Sequence, residues 1–195
     1  RLKGYPYDPR KAREFLAKAG YPNGRGLPTL QIWSSVKSEA VLKEHEAFRK
    51  YLADIGVQVE FQYNTDWPTF RSMVYKGELP IFRYGWVADV PDPNNFLNAL
   101  FHSKSPNNLT NYRNPAVDRL LARARGEFDY MKRVDLYRQV ERKVMEDAPL
   151  IPISYYTYER IFQPYVKAVK VSALGDPYIP MKRIWLERNP TGSKK

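Results

Sequence analysis

The chain has 195 residues, enough for one sizeable hydrophobic core, and its 43% hydrophobic and 14% aromatic content is typical of a globular protein. No run approaches the ~18 consecutive apolar residues of a membrane span, and the absence of cysteine excludes disulfides and thiolate metal sites. The formal net charge of +11 indicates an anionic partner such as nucleic acid, an anionic surface or an acidic domain. Basic residues nevertheless alternate with acids along predicted helices, as in "YRQVERKVMED", which favours a solvated basic surface.

The first half of the chain predicts alternating helices and strands. Asp8-Pro9 has the form of a helix start, with an N-cap carboxylate followed by proline. The predicted elements are a helix from Asp8 to Gly20, strand 29–35, helix 38–55, strand 57–63, helix 66–77 and a buried strand 80–87. This order predicts an α/β fold, a mixed β-sheet flanked by helices around one core.

The second half predicts mainly helices, then strands. Helices are expected over 94–101, 115–125 and 129–146, with a polar loop between the first two. A long strand region is expected after residue 148, followed by strands 166–172 and 183–188 and a frayed tail over 189–195. Neither repeats nor a long linker are present, so the whole of 1–195 is predicted to be a single lobe. The chain opens on Arg1 without an apolar leader, and we therefore expect a processed chain or an excerpt of a longer one.

Most catalytic chemistries lack a signature in this chain. The two histidines, His45 on a helix core stripe and His102 at a helix end, are predicted to be structural, which excludes zinc sites built from His and Cys. No G-x-S-x-G elbow, Walker loop or G-x-G-x-x-G follows a strand. Asp89 and Asp92 are weak evidence for an acid–base pair. The sequence predicts no enzyme, no cofactor and no metal.

Five motifs, in order, resemble a known family. They are "YDPRKAREFLAKAGYPNG", "LADIGVQVEF", "GWVADVPDPNNFL", "NNLTNYRNPAVDRLLARAR" and "RVDLYRQVERKVMEDAPLIPI". Together they resemble the C-terminal lobe of the bacterial extracytoplasmic solute-binding proteins, family 5, that serve peptide, dipeptide and nickel ABC transporters. The most characteristic is "GWVADVPDPNNFL", which is similar to the family's Gly-Trp-x-Ala-Asp signature.

The resemblance implies a periplasmic-binding-protein-like lobe whose cleft is completed by an N-terminal lobe of the same protein. The implied function is to capture peptides, or a related small solute, and deliver them to an ABC permease in the membrane. The implied location is extracytoplasmic, in the periplasm or anchored at the cell surface, with a signal peptide in the full-length protein. This chain alone would lack most of the partner lobe.

Asp89, Trp86 and Trp67 are the first candidate site residues. In peptide-binding members the aspartate of the signature pairs with the α-ammonium group of the ligand, and by position that residue is Asp89. The alternative is that Asp89 caps the following helix. Trp67 and Trp86 match pocket tryptophans of the family, with ordinary core packing as the alternative. Ligands of open α/β sheets bind beyond the carboxyl ends of strands, where Asp89 is expected.

Three further candidates come from the resemblance. Arg83 matches a position where some oligopeptide binders hold the ligand carboxylate, and a salt bridge at the lobe surface is the alternative. Asn108 and Tyr112 lie in the loop that flanks the family's cleft. Asp92 and Pro93 are predicted to be the N-cap and first residue of the next helix, so that the prolines hold Trp86 and Asp89 rigidly.

Two other function classes remain open from the sequence. The charge alone supports a basic nucleic-acid or anionic-surface binding module, which a steep salt dependence of DNA binding would reveal. A signalling or chaperone-like interaction module that reuses the fold is the other, since fold does not fix function. Within the family, the sequence does not separate peptides from sugars, nickel complexes or opines.

Overall fold

A computed structural model describes residues 4–155, 157, 159–172, 174 and 179–187. The chain divides into two compact units, unit 1 (Arg1–Gly85) and unit 2 (Trp86–Lys195). The helices are α1 (Pro9–Lys18), α2 (Glu39–Ala53), α3 (Trp67–Tyr75), α4 (Asn94–Phe101), α5 (Pro115–Gly126) and α6 (Tyr130–Asp147). The strands are β1 (Leu30–Ser34), β2 (Val59–Tyr63), β3 (Ile81–Phe82), β4 (Val166–Lys167) and β5 (Trp185–Leu186). Single turns of 3-10 helix occur at Pro22–Gly24 and Met181–Arg183.

Unit 1 contains a three-stranded parallel sheet in the order β2-β1-β3. Its helices begin where the sequence predicts, because Asp8, Ser38 and Asp66 each accept a hydrogen bond from the backbone N–H three residues ahead. His45 is buried on α2, its Nδ1 lies 2.8 Å from Tyr63 Oη, and its ring stacks on Phe61. The structural role predicted for this histidine is confirmed.

The predicted strand 80–87 is wrong in length and in burial. Regular pairing of β3 with β1 covers only Ile81 and Phe82, and the Arg83 N–H adds one bond to the Trp33 carbonyl. The partner strand β1 ends at Ser34, so the residues that follow Arg83 have no ladder to join. β3 is also an edge strand of this sheet, and Ile81 is 39% exposed. Periodicity alone does not reveal where a partner strand ends.

Unit 2 contains the helices α4, α5 and α6 around one hydrophobic cluster. The buried members of the cluster are Phe101, Val117, Leu120, Leu121, Ala124, Leu136, Tyr137, Val140 and Val144. These residues recur at helical spacing, which is why the sequence predicts all three helices to within a few residues. Side chains of Asn114 and Asp129 cap α5 and α6. His102 is the C-cap residue of α4, and its Nδ1 accepts from the Lys104 N–H, so the structural role predicted for it is confirmed.

The strands predicted after α6 are mostly wrong. The described residues between 148 and 164 contain no strand, because Ala148 adopts a left-handed conformation at φ 50° and Pro149 and Pro152 cannot donate to a ladder. Predicted strand 166–172 is reduced to β4, and predicted strand 183–188 to β5. These two pair antiparallel. The predicted tail 189–195 lies outside the described residues.

Both parallel and antiparallel pairing therefore occur, in separate sheets, together with six helices among the described residues. This composition confirms the predicted α/β class. No helix in the described part of the chain is both long enough and apolar enough to cross a membrane.

Candidate functional site

Asn95 holds the segment that carries Trp86 and Asp89. The Trp86 indole Nε1–H donates to the Asn95 carbonyl at 2.9 Å, and Nε1 lies 3.4 Å from Asn95 Oδ1. The Asp89 backbone N–H donates to the same Oδ1 at 3.1 Å. We call residues 86–95 the clamped turn. Trp86 is half-buried in it and Asp89 is exposed, so the turn fixes the Asp89 backbone and leaves this residue open to solvent.

The start of α4 bears on whether Asp89 is only a helix cap. The first helical N–H, that of Asn94, donates to Asp92 Oδ1 at 2.8 Å, and the N–H of Asn95 donates to the Asp92 carbonyl. The next two amides donate to the carbonyl of Pro93. The first turn of the helix thus obtains its acceptors from Asp92 and Pro93, without needing the Asp89 carboxylate.

Asp92 therefore bonds the start of α4 as predicted, but the helix begins one residue later than predicted. The N-cap position belongs to Pro93 and the helix begins at Asn94, so the predicted N-cap at Asp92 is wrong by one position. The Asp92 carboxylate also bonds α6, since Arg133 Nη2 lies 2.7 and 2.8 Å from its two oxygens. Burial opposes ionisation, but the bonds from Arg133 and the Asn94 N–H outweigh it and lower the pKa of Asp92.

Asn108 is buried, and its side chain is used within its own loop. Its Nδ2 donates to the carbonyls of Tyr112 at 2.7 Å and His102 at 3.3 Å. Its Oδ1 accepts from the Tyr112 N–H at 3.1 Å and from the Thr110 hydroxyl at 3.2 Å. These four bonds equal the capacity of an amide side chain. A ligand contact by Asn108 stays a prediction and would require one of them to be exchanged.

Tyr112 lies at the edge of the unit 2 core. Its ring meets Phe101 edge-on, with ring centroids 6.1 Å apart, and its hydroxyl donates to Asp147 Oδ2 at 2.5 Å. Burial, together with the bond to Asp147, raises the pKa of Tyr112 to about 12. The bonds from Tyr112 and Asn114 lower the pKa of Asp147. The structure thus gives Tyr112 a bridging role between Phe101 at the end of α4 and Asp147 at the end of α6, and its predicted ligand contact stays a prediction.

Trp67 and Arg83 belong to unit 1. Trp67 is the first residue of α3, is 48% exposed, and contacts Phe70 and Tyr84 at centroid distances of 6.1 and 5.6 Å. A tryptophan that packs on one side and remains half exposed can serve as an aromatic wall. Its pocket role stays a prediction.

Arg83 forms the salt bridge that was the alternative to ligand binding. Its Nε donates to Glu44 Oε1 at 2.9 Å, and both side chains are largely buried, at 22% and 25% exposure. The pair joins β3 to α2 within unit 1. The structure therefore accounts for Arg83 without a ligand, and a role in binding a ligand carboxylate remains untested.

Sequence reasoning missed the residues that organise the candidates. Asn95 lies inside the quoted signature, yet its type gave no reason to select it over Asn94. Glu44, Arg133 and Asp147 are partners from distant parts of the chain, separated from Arg83, Asp92 and Tyr112 by 39, 41 and 35 positions. No local pattern reveals such pairs.

Other features of the described residues add no competing site. An open surface cavity of about 640 Å³ lies beside α1 in unit 1. A second, of about 440 Å³, lies in unit 2 where the C-terminal end of α5 meets the first half of α6. Neither is lined by any of the six candidates. Within the described part of the chain, no three histidine or carboxylate side chains cluster as metal ligands.

Comparison with known proteins identifies the family. The model for the middle part of the bacterial extracellular solute-binding proteins, family 5, matches residues 2–108, and the chain therefore belongs to this family. The resemblance inferred from the five motifs is confirmed.

Individual relatives fall in the same family. The chain is 30% identical to the periplasmic oligopeptide-binding protein OppA of Salmonella typhimurium over 80% of its length, and 32% identical to the heme-binding protein A of Haemophilus influenzae over 89%. The structure of DppA from Helicobacter pylori in complex with the peptide STSA matches 96% of the chain with a TM-score of 0.75 and 28% identity. The chain covers 28%, 32% and 36% of these proteins, about a third of their length.

Proposed function

We propose that this chain is one substrate-binding lobe, the C-terminal one, of an extracytoplasmic solute-binding protein that captures peptides for an ABC importer. The observation that carries the proposal is the clamped turn, which fixes Trp86 and leaves Asp89 exposed at the family signature. The remaining partners are an N-terminal lobe of the same protein and a membrane permease. A protein of this kind binds and releases its ligand unchanged, so the proposal includes no catalysis.

The chemistry of Asp89 selects the free amino end of a peptide. A carboxylate accepts short, charge-assisted hydrogen bonds from an ammonium group, and these strengthen when water is excluded. Because the backbone of Asp89 is held by Asn95, little conformational entropy remains to be lost when a ligand arrives. The half-buried Trp86 gives the same turn an aromatic surface.

Heme is the second candidate ligand, because one relative at 32% identity is a heme-binding protein. Heme carries propionates and no ammonium group, so an exposed aspartate in the site opposes its binding. Nucleic acid is less favoured by the observed charges. Several basic side chains are already paired, as in Arg133 with Asp92, Lys167 with Glu187 and Lys43 with Glu39.

The test is a double-mutant cycle in the complete protein. A tripeptide library is presented first, retained peptides are identified by mass spectrometry, and the tightest is then titrated by calorimetry in its free and N-acetylated forms. Removing one partner of an enclosed charge pair costs roughly 2–5 kcal/mol, or about 30-fold or more in affinity. We therefore expect Asp89→Asn to weaken the affinity for the free peptide by that factor and to change the affinity for the N-acetylated peptide little.

Equal losses for both peptide forms would show that Asp89 does not contact the ammonium group. Equal affinities of wild type and Asp89→Asn for the free peptide would remove Asp89 from the site. Retention of heme in place of any peptide would transfer the function to the second candidate. The matched control is Asp135→Asn, at an exposed aspartate on α6 whose carboxylate accepts from Gln139 of the same helix.

A further inference from the structure

We propose that Asn95 is the positioning residue of this site, and that Arg133 supports it by holding the first turn of α4 through Asp92. The proposal rests on the proposed function of Asp89, and it concerns how that carboxylate is aimed. Asn95 itself contacts no ligand in the proposed site. It fixes the Trp86 ring and the backbone that carries the Asp89 carboxylate, and these two side chains are the proposed ligand contacts.

Asn95 suits this position chemically. A side-chain amide oxygen has two lone pairs, and here Oδ1 faces two donors, the Asp89 N–H at 3.1 Å and the Trp86 indole N–H at 3.4 Å. The indole N–H also donates to the Asn95 backbone carbonyl at 2.9 Å. An aspartate would accept the same bonds but would add a second negative charge beside Asp89. Asparagine therefore supplies the acceptor without disturbing the charge that binds the ligand.

The helix turn that carries Asn95 is itself anchored on α6. Arg133 reaches both oxygens of Asp92 at 2.7 and 2.8 Å, and its guanidinium lies 5.2 Å from the centroid of the Tyr137 ring. The Tyr137 hydroxyl donates to Asn94 Oδ1 at 3.2 Å, and the Tyr137 residue is only 2% exposed. Two contacts thus connect the residues just before Asn95 to the most buried face of α6.

Together these contacts connect the core to the backbone of Asp89, the residue proposed to bind the ligand. The steps run from α6 through Asp92 to the start of α4, and from Asn95 to Asp89. Holding a binding group in its bound geometry reduces the ordering cost of binding. Loosening the clamped turn should therefore weaken ligand binding even though no ligand contact is removed.

The test uses the complete protein, the peptide selected above, and two substitutions with matched controls. Asn95→Ala removes the Oδ1 acceptor. Its control is Gln139→Ala, which removes a side-chain amide from α6. Arg133→Met removes the ion pair, and Arg138→Met makes the same change at an exposed position of the same helix. Three quantities are measured for each variant: peptide affinity, the thermal midpoint, and backbone hydrogen exchange of residues 86–90 by mass spectrometry.

The loss of a hydrogen bond is expected to weaken peptide binding about 3- to 10-fold in Asn95→Ala, with faster exchange over residues 86–90. Arg133→Met should show the same two effects more weakly, and both controls should match wild type. Asn95→Asp retains the acceptor and should restore slow exchange. That rescue distinguishes positioning from a general loss of stability, which the thermal midpoint reports separately.

Three outcomes would overturn the proposal. Wild-type affinity in Asn95→Ala, while Asp89→Asn has lost binding, would leave the proposed function standing and remove the positioning role. Lost affinity with unchanged exchange over residues 86–90 would make Asn95 a direct ligand contact instead. Unchanged affinity in both Asn95→Ala and Asp89→Asn would overturn the positioning role and the peptide site together.

Discussion

The clamped turn and the loop 102–112 are two segments of unit 2 at opposite ends of α4, and an asparagine side chain bonds the backbone in each. The clamped turn runs into the first two residues of α4, and the loop follows its last residue. In the loop, Asn108 is buried and its four hydrogen-bonding positions are used within the segment. In the clamped turn, Asn95 bonds the backbone of Asp89, and the Asp89 residue remains exposed.

The difference distinguishes a structural loop from a proposed binding turn. In the loop the key side chain is buried and fully hydrogen-bonded, and in the turn the key residue is exposed. An amide that has used all its donors and acceptors internally has none left for a ligand. An aspartate whose backbone is held while the residue stays exposed is ordered before the ligand arrives and remains accessible to it. The loop is therefore expected to affect stability when mutated, and the turn to affect binding.

The largest expected effect on stability is that of Asn108→Ala. The substitution leaves the backbone N–H and C=O of Tyr112 without their partner, and we expect a loss of about 2–3 kcal/mol in the free energy of unfolding. The folded fraction of Asn108→Ala should bind the peptide with the same affinity as wild type. Urea unfolding and calorimetry measure the two quantities.

Two further variants sharpen this test. Asn108→Asp keeps the acceptor but places a buried carboxylate oxygen against the carbonyls of Tyr112 and His102, so its stability at neutral pH should be no higher than that of Asn108→Ala. Lys104→Ala, an exposed position of the same loop, is the control. A variant at Asn108 with normal stability and weakened peptide binding would break the comparison and place Asn108 in the site.

A smaller effect is expected for Tyr112→Phe. The hydroxyl bond to the exposed Asp147 is lost while the ring contact with Phe101 remains, so the free energy of unfolding should fall by about 1 kcal/mol near neutral pH. Because folding raises the pKa of Tyr112 to about 12, its contribution is complete below the unfolded value of about 10 and is lost as the pH rises towards 12. The gap between wild type and variant should therefore close over that interval.

Urea titrations of both proteins between pH 8 and pH 12 check this expectation, since other alkaline effects are common to the two. A stability gap that stays constant to pH 12 would contradict the raised pKa. Weakened peptide binding in Tyr112→Phe at neutral pH would instead favour the ligand contact that the resemblance implies for this residue.

The smallest effect is expected for Asp92→Asn, which keeps an acceptor for the Asn94 N–H and removes the charge that faces Arg133. The ion pair is partly exposed, and we expect a loss of about 1 kcal/mol or less. The pKa of Asp92 is lowered by folding, so its contribution is present above the unfolded value of about 4 and is lost as the pH falls below it.

Stability of wild type and Asp92→Asn should therefore converge in acid, which urea unfolding between pH 7 and pH 2.5 measures. Asp135→Asn on the exposed face of α6 is the control. A difference that persists at the lowest pH would mean that shape, and not charge, accounts for the effect. In that case Arg133 would not support the clamped turn through its ion pair.

The sequence by itself determined the helices and the family. Asp8, Ser38, Asp66 and Asp129 cap helices by accepting from a backbone N–H three residues ahead, so their effect is local and can be inferred from a short window. The core residues of α5 and α6 recur at helical spacing, which is equally local. The signature around Asp89 was likewise contiguous enough to indicate the family.

Tertiary structure alone decided how far the later strands extend and which polar side chains are already engaged. β3 ends after Phe82 because its partner β1 ends, and a strand exists only as long as its neighbour. Arg83 pairs with Glu44, and Asp92 with Arg133, across 39 and 41 positions of the chain. Such pairs depend on packing between distant elements, and no local spacing encodes them. The role proposed for Asn95 likewise depends on the turn folding back onto the start of α4.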